Sequence, residues 1–296
     1  MQKLFWMQFL IYILIYPLLW CVSMLPFRVL YLFSDFVYQI VYHVIGYRRE
    51  TVRENLVLAF PDKTDKERLH IEKKSFRYLC DTFIEMIKTM TISEKEISKR
   101  YVVTNIDEYL EMEKKGKSIA LMCAHFASYE WAISINHHIT FEGIGIYKKI
   151  ANPYFDKLVR DIRSRFKATL VTTKETKNCI EANHKNGILA LYGFASDQTP
   201  RITDKTFWNT FMGIQTPIHV GAEVLAKNYD LSVAFLKSYR TKRGYYEATI
   251  ELLSEDVQSV PDYEISETFM RKVEAQIYEA PEFYLWSHKR WKHRKS

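Results

Sequence analysis

The segment KSIALMCAHFASYEW, residues 117–131, begins with an apolar run and breaks at a histidine. A short apolar run of this kind is typical of a strand buried on both faces, as in a parallel sheet. The residues that follow predict a helix over positions 128–138. A buried strand leading into a helix is the repeating unit of α/β folds, so this segment indicates the fold class.

The same alternation continues toward the C-terminus. Strand-type runs are FEGIGIYKK, ATLVT, GILALYGF, LSVAFLKSYR and GYYEATIELL, and the helical patterns are PYFDKLVRDIRSRF, KETKNCIEANHKN, HVGAEVLAKNY and residues 266–279. Strands that alternate with helices favour parallel pairing. We therefore predict an α/β fold with a mostly parallel central sheet flanked by helices.

An uncharged segment lies near the N-terminus, at residues 4–27. About 20 apolar residues span a bilayer core, and no small-x-small cleavage site follows, so we expect a membrane anchor rather than a signal peptide. Pro17 and Pro26 can kink or end a helix, so a helix that lies in the membrane interface is one alternative to a spanning anchor. A core helix of a soluble protein is a second alternative. Only Lys3 precedes the segment, whereas four arginines follow it, at Arg28, Arg48, Arg49 and Arg53. This asymmetry predicts that the body of the protein lies in the cytoplasm, at the inner face of the membrane. Because no second apolar segment of comparable length appears, we expect a single anchor.

The pattern divides the chain into three parts. Residues 1–33 form the predicted N-terminal anchor, residues 34–100 a helical region, and residues 101–296 an α/β catalytic domain with a basic tail. In the helical region two amphipathic patterns are separated by Pro61, and Thr64 or Asp65 is the expected cap of the second.

Two polar residues stand out where the first predicted strand ends. His125 follows the strand, and Glu130 would lie in the first turn of the next helix. Ligands bind open α/β sheets at the carboxyl ends of strands. A carboxylate bonded to one imidazole nitrogen leaves the other to take a proton from a substrate hydroxyl, so we predict a Glu130–His125 hydrogen bond. Free N–H groups at the start of the helix would stabilise an oxyanion. The alternative to a catalytic pair is that His125 is a core histidine and Glu130 a surface residue.

The four cysteines do not suggest a metal site. Cys21, Cys80, Cys123 and Cys179 are far apart and form no CxxC or Cys/His spacing. Each has apolar neighbours, so we expect reduced, buried thiols, in keeping with a cytoplasmic domain. We expect neither a metal nor a cofactor.

Four blocks of sequence carry a resemblance to a known family. AHFASYEW resembles the H-x4-D/E motif of membrane glycerolipid and lipid A acyltransferases. In the same order as the late lipid A biosynthesis acyltransferases, the lauroyl/myristoyl branch, come YRRETVRENLVLAFPD, SDQTPR with FWNTFMGIQTPIHVGAEVLAKN, and APEFYLWSHKRWKHR. The resemblance covers nearly the whole chain.

The resemblance implies transfer of an acyl group from an acyl-carrier-protein thioester to a hydroxyl of a lipid acceptor, without a covalent enzyme intermediate. On this basis His125 is the general base and Glu130 its partner. Arg163, Asp197, Gln198 and Arg201 are the expected substrate-binding residues. Where such enzymes usually carry a glycine-containing turn after the DQ pair, this chain has Thr199, Pro200 and Arg201, so aminolipid or lysophospholipid acceptors stay open beside a lipid A precursor.

The C-terminal tail is strongly basic. HKRWKHRKS holds five Lys/Arg and no acid, and without it the net charge falls from +7 to about +2. No nucleic-acid-binding motif accompanies the tail, so we expect a membrane phospholipid surface as its partner and not a nucleic acid. The residues predicted to contact anionic headgroups are Trp286, Lys289, Arg290, Trp291 and Lys292.

Other functions stay open at the level of sequence. A non-catalytic membrane adaptor would use the fold and the basic tail only to bind lipid. A thioesterase would use His125 with water as the acceptor. Coenzyme A is an alternative to acyl carrier protein as the donor. No GxSxG, HExxH, Walker or GxGxxG pattern supports a further class of enzyme.

Overall fold

Nine strands appear in the computed structural model, which describes residues 2–295. They are β1 (Tyr101–Val103), β2 (Ile119–Cys123), β3 (Glu142–Tyr147), β4 (Ala168–Thr172), β5 (Ala190–Ala195), β6 (Trp208–Phe211), β7 (Ile214–Pro217), β8 (Ser232–Lys242) and β9 (Tyr245–Ser254). Seven of them form the central sheet, and β6 with β7 forms a separate antiparallel hairpin.

The central sheet has the order β1-β9-β8-β2-β5-β3-β4. All neighbouring strands are parallel except β8 and β9, which form an antiparallel hairpin. β2 lies between β5 and β8 and is buried at its first four residues, which explains why its residues are apolar on both faces. The predicted α/β fold with a mostly parallel sheet flanked by helices is confirmed.

Ten α-helices surround the sheet in the described residues. They are α1 (Gln2–Met24), α2 (Phe27–Tyr38), α3 (Arg49–Ala59), α4 (Asp65–Lys88), α5 (Glu94–Arg100), α6 (Ile106–Glu113), α7 (Pro153–Ser164), α8 (Thr176–Lys185), α9 (Gly221–Tyr229) and α10 (Glu264–Glu279). A π-helix (Gln39–Ile45) follows α2, and 3₁₀-helices span Trp131–His137 and Pro281–Phe283. The predicted cap of α4 is confirmed, because Thr64 and Glu67 form a reciprocal capping box.

The segment after β2 differs from its prediction. In place of an α-helix over residues 128–138, the chain forms a turn and then the 3₁₀-helix Trp131–His137. This stretch is rich in β-branched and short polar residues, which are poor helix formers. Trp131 is fully buried and its indole N–H donates to Thr89 Oγ1 at 3.0 Å, which fixes the turn against α4. The predicted helix start beside His125 is therefore absent.

The helix α1 leaves most of its apolar side chains exposed. Its segment Trp6–Met24, 19 residues with a mean hydropathy of 1.8, is long and apolar enough to cross a membrane, and only 6% of it is buried within the protein. An apolar surface of this extent favours a lipid environment. A bent pair of helical segments, Phe27–Ile45 with Arg49–Ala59, passes the same test if the two segments form one span.

Cys21 is exposed on α1, so the expectation that every cysteine is buried is wrong, although all four are free.

The C-terminal tail is built into the fold rather than laid on a surface. Trp286, Arg290 and Trp291 are 2%, 1% and 1% exposed. The two indole N–H groups donate to the carbonyl oxygens of Pro281 and Phe211. The prediction that these three side chains contact membrane headgroups is wrong, because they fill the protein core. Their neighbours Lys289 and Lys292 are exposed.

Candidate active site

The loop after β2 carries His125 and is held from several sides. Ala127 takes a left-handed backbone with φ of 48°, which costs a non-glycine residue roughly 1–2 kcal/mol. Its N–H donates to the carbonyl of Phe283 at 3.0 Å, and its carbonyl accepts from the Tyr78 hydroxyl. The carbonyl of His125 accepts from the N–H of Leu285 at 3.1 Å. These contacts fix the direction in which the imidazole points.

Asp197 is the direct hydrogen-bond partner of His125. The two residues follow the paired strands β5 and β2 at matching positions, because Cys123 pairs with Ala195 in register. Asp197 Oδ1 lies 2.7 Å from His125 Nδ1 and accepts from the His125 backbone N–H at 3.0 Å. An ionised carboxylate only accepts hydrogen bonds, so Nδ1 carries the proton and Nε2 is the nitrogen left to accept one.

The contacts with Asp197 raise the pKa of the His125 imidazole. Burial lowers the pKa of His125, but the charge and hydrogen bond of Asp197 outweigh it, and the pKa lies above its ordinary value of 6.5. Burial raises the pKa of Asp197, and the contacts with His125 reverse this, so that its pKa lies below 3.8. The Asp197 side chain is 1% exposed and that of His125 is 21% exposed. The carboxylate is thus shielded from solvent, while part of the imidazole is exposed.

Glu130 binds an arginine and not the histidine. Its two carboxylate oxygens accept from Arg163 Nε at 3.0 Å and Nη2 at 2.7 Å. The predicted Glu130–His125 hydrogen bond is therefore wrong. With the predicted helix absent, Glu130 precedes a 3₁₀-helix and its side chain points to α7, where Arg163 offers a two-pronged match to the carboxylate. Glu130 still acts on the histidine through space, because its charge helps raise the pKa of His125.

The helix that carries Arg163, α7, also packs against α1. Tyr12 of α1 stacks on Tyr154 with ring centroids 5.6 Å apart and meets Phe155 edge-on at 5.8 Å. Both partners lie in the first turns of α7, which begins at an Asn152 cap. The ion pair beside His125 is therefore connected to α1 through a single helix.

The remaining predicted substrate-binding residues, Gln198 and Arg201, follow Asp197 in the chain and differ in exposure. Gln198 follows Asp197 and is half-buried, and Arg201 is exposed. Neither side chain has a hydrogen-bond partner among the described residues, so both are available to a ligand. Tyr129 packs edge-on against the His125 ring, with centroids 5.0 Å apart.

Several groups near Asp197 were not predicted as site residues. Among the described residues, the charge of Asp197 acts on the pKa values of six side chains besides that of His125, namely Cys123, Tyr129, His219, Tyr284, His288 and Arg290. Of these six, only Arg290 was predicted as a site residue, and then as a contact of anionic headgroups. All of them except Cys123 lie in the four blocks that carry the family resemblance, but nothing in a linear pattern brings them to Asp197. No group of three or more His, Cys, Asp or Glu side chains suited to a metal occurs within residues 2–295.

Removing one partner of the Glu130–Arg163 pair is expected to destabilise the protein. We expect Glu130→Gln to lower the free energy of unfolding by about 2 kcal/mol, because it leaves a largely buried guanidinium without its carboxylate. A fully buried pair would cost more, but 24% of the Arg163 side chain is exposed. Denaturant unfolding measures the effect, with Glu111→Gln, in an exposed pair, as a control expected within about 0.5 kcal/mol of wild type. Equal stabilities for the two variants would contradict a structural role for the pair.

Fold and site together define an enzyme class: an α/β protein whose histidine–carboxylate pair lies at the carboxyl end of a central strand. Residues 2–293 match the family model described as bacterial lipid A biosynthesis acyltransferase. The chain belongs to this family, and it is an acyltransferase.

Curated relatives are similar over most of their length. A lipid A biosynthesis lauroyltransferase of Escherichia coli is 26% identical over 277 residues, which cover 93% of this chain and 89% of the relative. A lipid A biosynthesis acyltransferase of Haemophilus influenzae is 28% identical over 256 residues, 84% of this chain and 79% of the relative. A lipid A biosynthesis palmitoleoyltransferase of Escherichia coli is 23% identical over 288 residues, with coverages of 93% and 89%.

Proposed function

We propose that this protein moves a fatty acyl group from the thioester of acyl carrier protein to a hydroxyl of a lipid A precursor, with His125 as the general base. One observation carries the proposal: Asp197 holds His125 Nδ1 at 2.7 Å, which leaves Nε2 as a proton acceptor at the end of β2. Membership of the lipid A acyltransferase family supports the choice of reaction and acceptor.

The proposed reaction needs no nucleophile on the enzyme. His125 Nε2 takes the proton of the acceptor hydroxyl while the hydroxyl oxygen attacks the thioester carbonyl carbon. The tetrahedral intermediate then collapses, the carbon–sulfur bond breaks, and the imidazolium returns its proton to the leaving thiolate. Asp197 stabilises the imidazolium that forms between these two steps.

The donor and acceptor groups have proposed contacts around this pair. Glu130 acts on His125 by its charge and holds Arg163 in place. Arg163, Gln198 and Arg201 are proposed to contact the phosphates or polar head of the acceptor. The net charge of +7, with the exposed Lys289 and Lys292, favours docking of an acidic donor protein or of anionic headgroups.

We further propose an inner-membrane location with the catalytic body on the cytoplasmic side. The exposed apolar face of α1 supports an anchor, and the arginines after it support this orientation. Cytoplasmic access is also what an intracellular acyl carrier protein would require.

The pH dependence of the reaction follows from the raised pKa of His125. A general base must be neutral, so we expect the rate of acyl transfer to rise as the pH increases through the pKa of His125 in the folded protein. Because that pKa lies above 6.5, the acid limb of the profile is expected above pH 6.5. A profile of kcat/KM between pH 5 and 9 measures it, and an acid limb well below pH 6.5 would contradict the Asp197–His125 arrangement.

A defined reaction mixture tests the substrates. Purified protein is given acyl carrier protein or coenzyme A carrying the same acyl chain, with a lipid A precursor, a lysophospholipid or a hydroxy-acyl aminolipid as acceptor. We expect mass spectrometry to show one added acyl group on the lipid A precursor, fastest with the carrier-protein donor. Free fatty acid without an acylated lipid would instead identify a thioesterase, and an inert protein that binds vesicles would favour the adaptor.

A further inference from the structure

An open cleft of about 490 Å³ lies between α2, α4 and the turn that joins β8 to β9. Neither His125 nor Asp197 lines this α2–α4 cleft, but two of its lining residues, Tyr78 and Phe283, hold the loop of His125. The Tyr78 hydroxyl donates to the Ala127 carbonyl, and the Phe283 carbonyl accepts from the Ala127 N–H at 3.0 Å. The proposed acyl transfer assigns no role to the cleft.

The cleft carries more positive than negative side chains. Its four cations are Lys74, Arg77, Arg240 and Arg243. Its three carboxylates already have cationic partners. Arg243 Nη2 lies 2.8 Å from Asp35 Oδ1 and 2.7 Å from Asp81 Oδ1, and Lys74 Nζ lies 3.4 Å from Glu282 Oε1. One positive charge is left over, so a ligand with a single negative charge would balance the cleft.

Arg77 is the cation without a carboxylate. Arg240 Nη2 lies 3.1 Å from Asp81 Oδ2, whereas Arg77 forms no ion pair within 4.0 Å among residues 2–295. Its guanidinium lies over the Tyr38 ring, 5.1 Å from the centroid, which holds it in the cleft. A guanidinium presents a planar set of donors that matches the oxygens of a phosphate.

Helix α2 forms one wall of the cleft and also carries an exposed apolar stripe. Val29, Leu32 and Phe36 are 45%, 69% and 60% exposed. At about 100° per residue these three side chains share one face of the helix. That face borders the one that lines the cleft with Asp35 and Gln39. The charged cleft therefore has an apolar surface directly beside it.

The apolar stripe lies close to the end of the membrane-type helix. Only Leu25 and Pro26 separate α1 from α2. Because α1 is long and apolar enough to cross the bilayer, the segment that follows it is expected at the level of the lipid head groups. The opposite face of α2 is fixed to the body of the protein, where Ser34 Oγ donates to Asp81 Oδ1 at 2.7 Å. Lipid is thus the partner that this position favours for the stripe.

We propose that the α2–α4 cleft binds the head group of an anionic phospholipid of the bilayer, with the phosphate on Arg77 and the acyl chains along the apolar stripe of α2. A head group with hydroxyls, as in phosphatidylglycerol, can also donate to Asp35, whose side chain is 47% exposed. The phospholipid is a bound ligand and not a substrate, and the inference does not rest on acyl transfer by His125. Such a site would hold the body of the protein against the membrane beside α1.

Native mass spectrometry of the full-length protein in a nonionic detergent tests this site. Dioleoyl phosphatidylglycerol and dioleoyl phosphatidylcholine are titrated separately, without an acyl donor, to obtain a Kd for each. Arg77→Gln removes the unpaired cation, and Phe36→Asn removes an apolar side chain of the stripe. Lys73→Gln is the matched control, because Lys73 is an exposed cation of the same helix that does not line the cleft.

We expect wild type to bind one phosphatidylglycerol at least about tenfold more tightly than phosphatidylcholine. Arg77→Gln should weaken the binding of phosphatidylglycerol by about tenfold or more, the usual cost of losing a charge-assisted hydrogen bond. Lys73→Gln should bind as wild type does. Phe36→Asn should weaken binding of the dioleoyl lipid but not of dihexanoyl phosphatidylglycerol, whose short chains leave the stripe uncovered. Melting temperatures should stay close to wild type, because these three side chains are exposed.

Other outcomes overturn the inference. Equal affinities of wild type and Arg77→Gln for phosphatidylglycerol would exclude the cleft, and an equal loss in Lys73→Gln would indicate a nonspecific effect of charge. Displacement of the lipid by an equal concentration of inorganic phosphate would identify a site for free anions. Displacement by a lower concentration of a lipid A precursor would assign the cleft to the acyl acceptor.

The wild-type protein alone also tests the inference. If Arg77→Gln does not fold, equal affinities of wild type for the two phospholipids would still overturn the proposal. His125→Ala should bind phosphatidylglycerol as wild type does, so failure of the proposed acyl transfer and failure of the lipid site are separate results.

Discussion

Replacing His125 by alanine is expected to lower the rate of acyl transfer by a factor of about 10²–10⁴, the usual contribution of a general base. The structure gives the reason: Nε2 is the free nitrogen of a ring whose Nδ1 lies 2.7 Å from a buried carboxylate. The rate is measured as acyl groups transferred to the lipid acceptor by purified protein. His70→Ala is the matched control, since His70 is an exposed residue of α4.

The fold of the His125→Ala variant has to be checked in the same experiment. The backbone of position 125 keeps its hydrogen bonds to Leu285 and Asp197 without the imidazole, so we expect a normal circular dichroism spectrum and a cooperative melt. A well-folded variant that transfers acyl groups at the wild-type rate would exclude His125 as the base.

Replacing Asp197 by asparagine is expected to cost nearly as much, with a loss of about 10²–10⁴ in kcat. The asparagine amide can donate to His125 Nδ1, which moves the ring proton to Nε2 and removes the free acceptor nitrogen. The charge that raises the pKa of His125 is lost as well, so the acid limb of the residual activity should move to lower pH.

A neighbouring carboxylate provides the control for that variant. Asp204 lies in the same connection after β5 but is exposed, so Asp204→Asn should behave as wild type. An Asp197→Asn variant with an unchanged rate and an unchanged acid limb would contradict the assignment of Asp197 as the partner of His125.

The sheet was predictable because burial on both faces leaves a direct trace in the sequence. β2 and β5 are short apolar runs between polar residues, and both were identified from their residues alone. The hairpin of β6 and β7 was missed, since its strands of four residues contain Asn, Gln and Thr and lack a clear period. The turn after β2 was missed because tertiary contacts of Trp131 override the helical pattern.

The partner of His125 was not predictable from spacing along the chain. Glu130 is five positions away and Asp197 is 72 positions away. Only the strand order, with β5 beside β2, brings the second carboxylate to the ring. The sequence therefore indicates two candidate carboxylates at strand ends, but it does not indicate which of them binds the histidine.

The basic tail shows a different limit of sequence reasoning. Alternating Trp and Lys/Arg residues are equally suited to a lipid interface and to a core that encloses one cation. The hydrogen bonds of Trp286, Arg290 and Trp291 to backbone carbonyls decide for the core, and a linear pattern does not contain them.

The most direct test of the account is the mass spectrum of lipids from bacterial cells that lack one late lipid A acyl group. The cells express either the wild-type chain or His125→Ala, with both proteins shown to be folded and in the membrane fraction. We predict that wild type adds the mass of one fatty acyl group to lipid A and that His125→Ala does not. Lipid A that gains the acyl group with both proteins, or with neither, would contradict acyl transfer by His125.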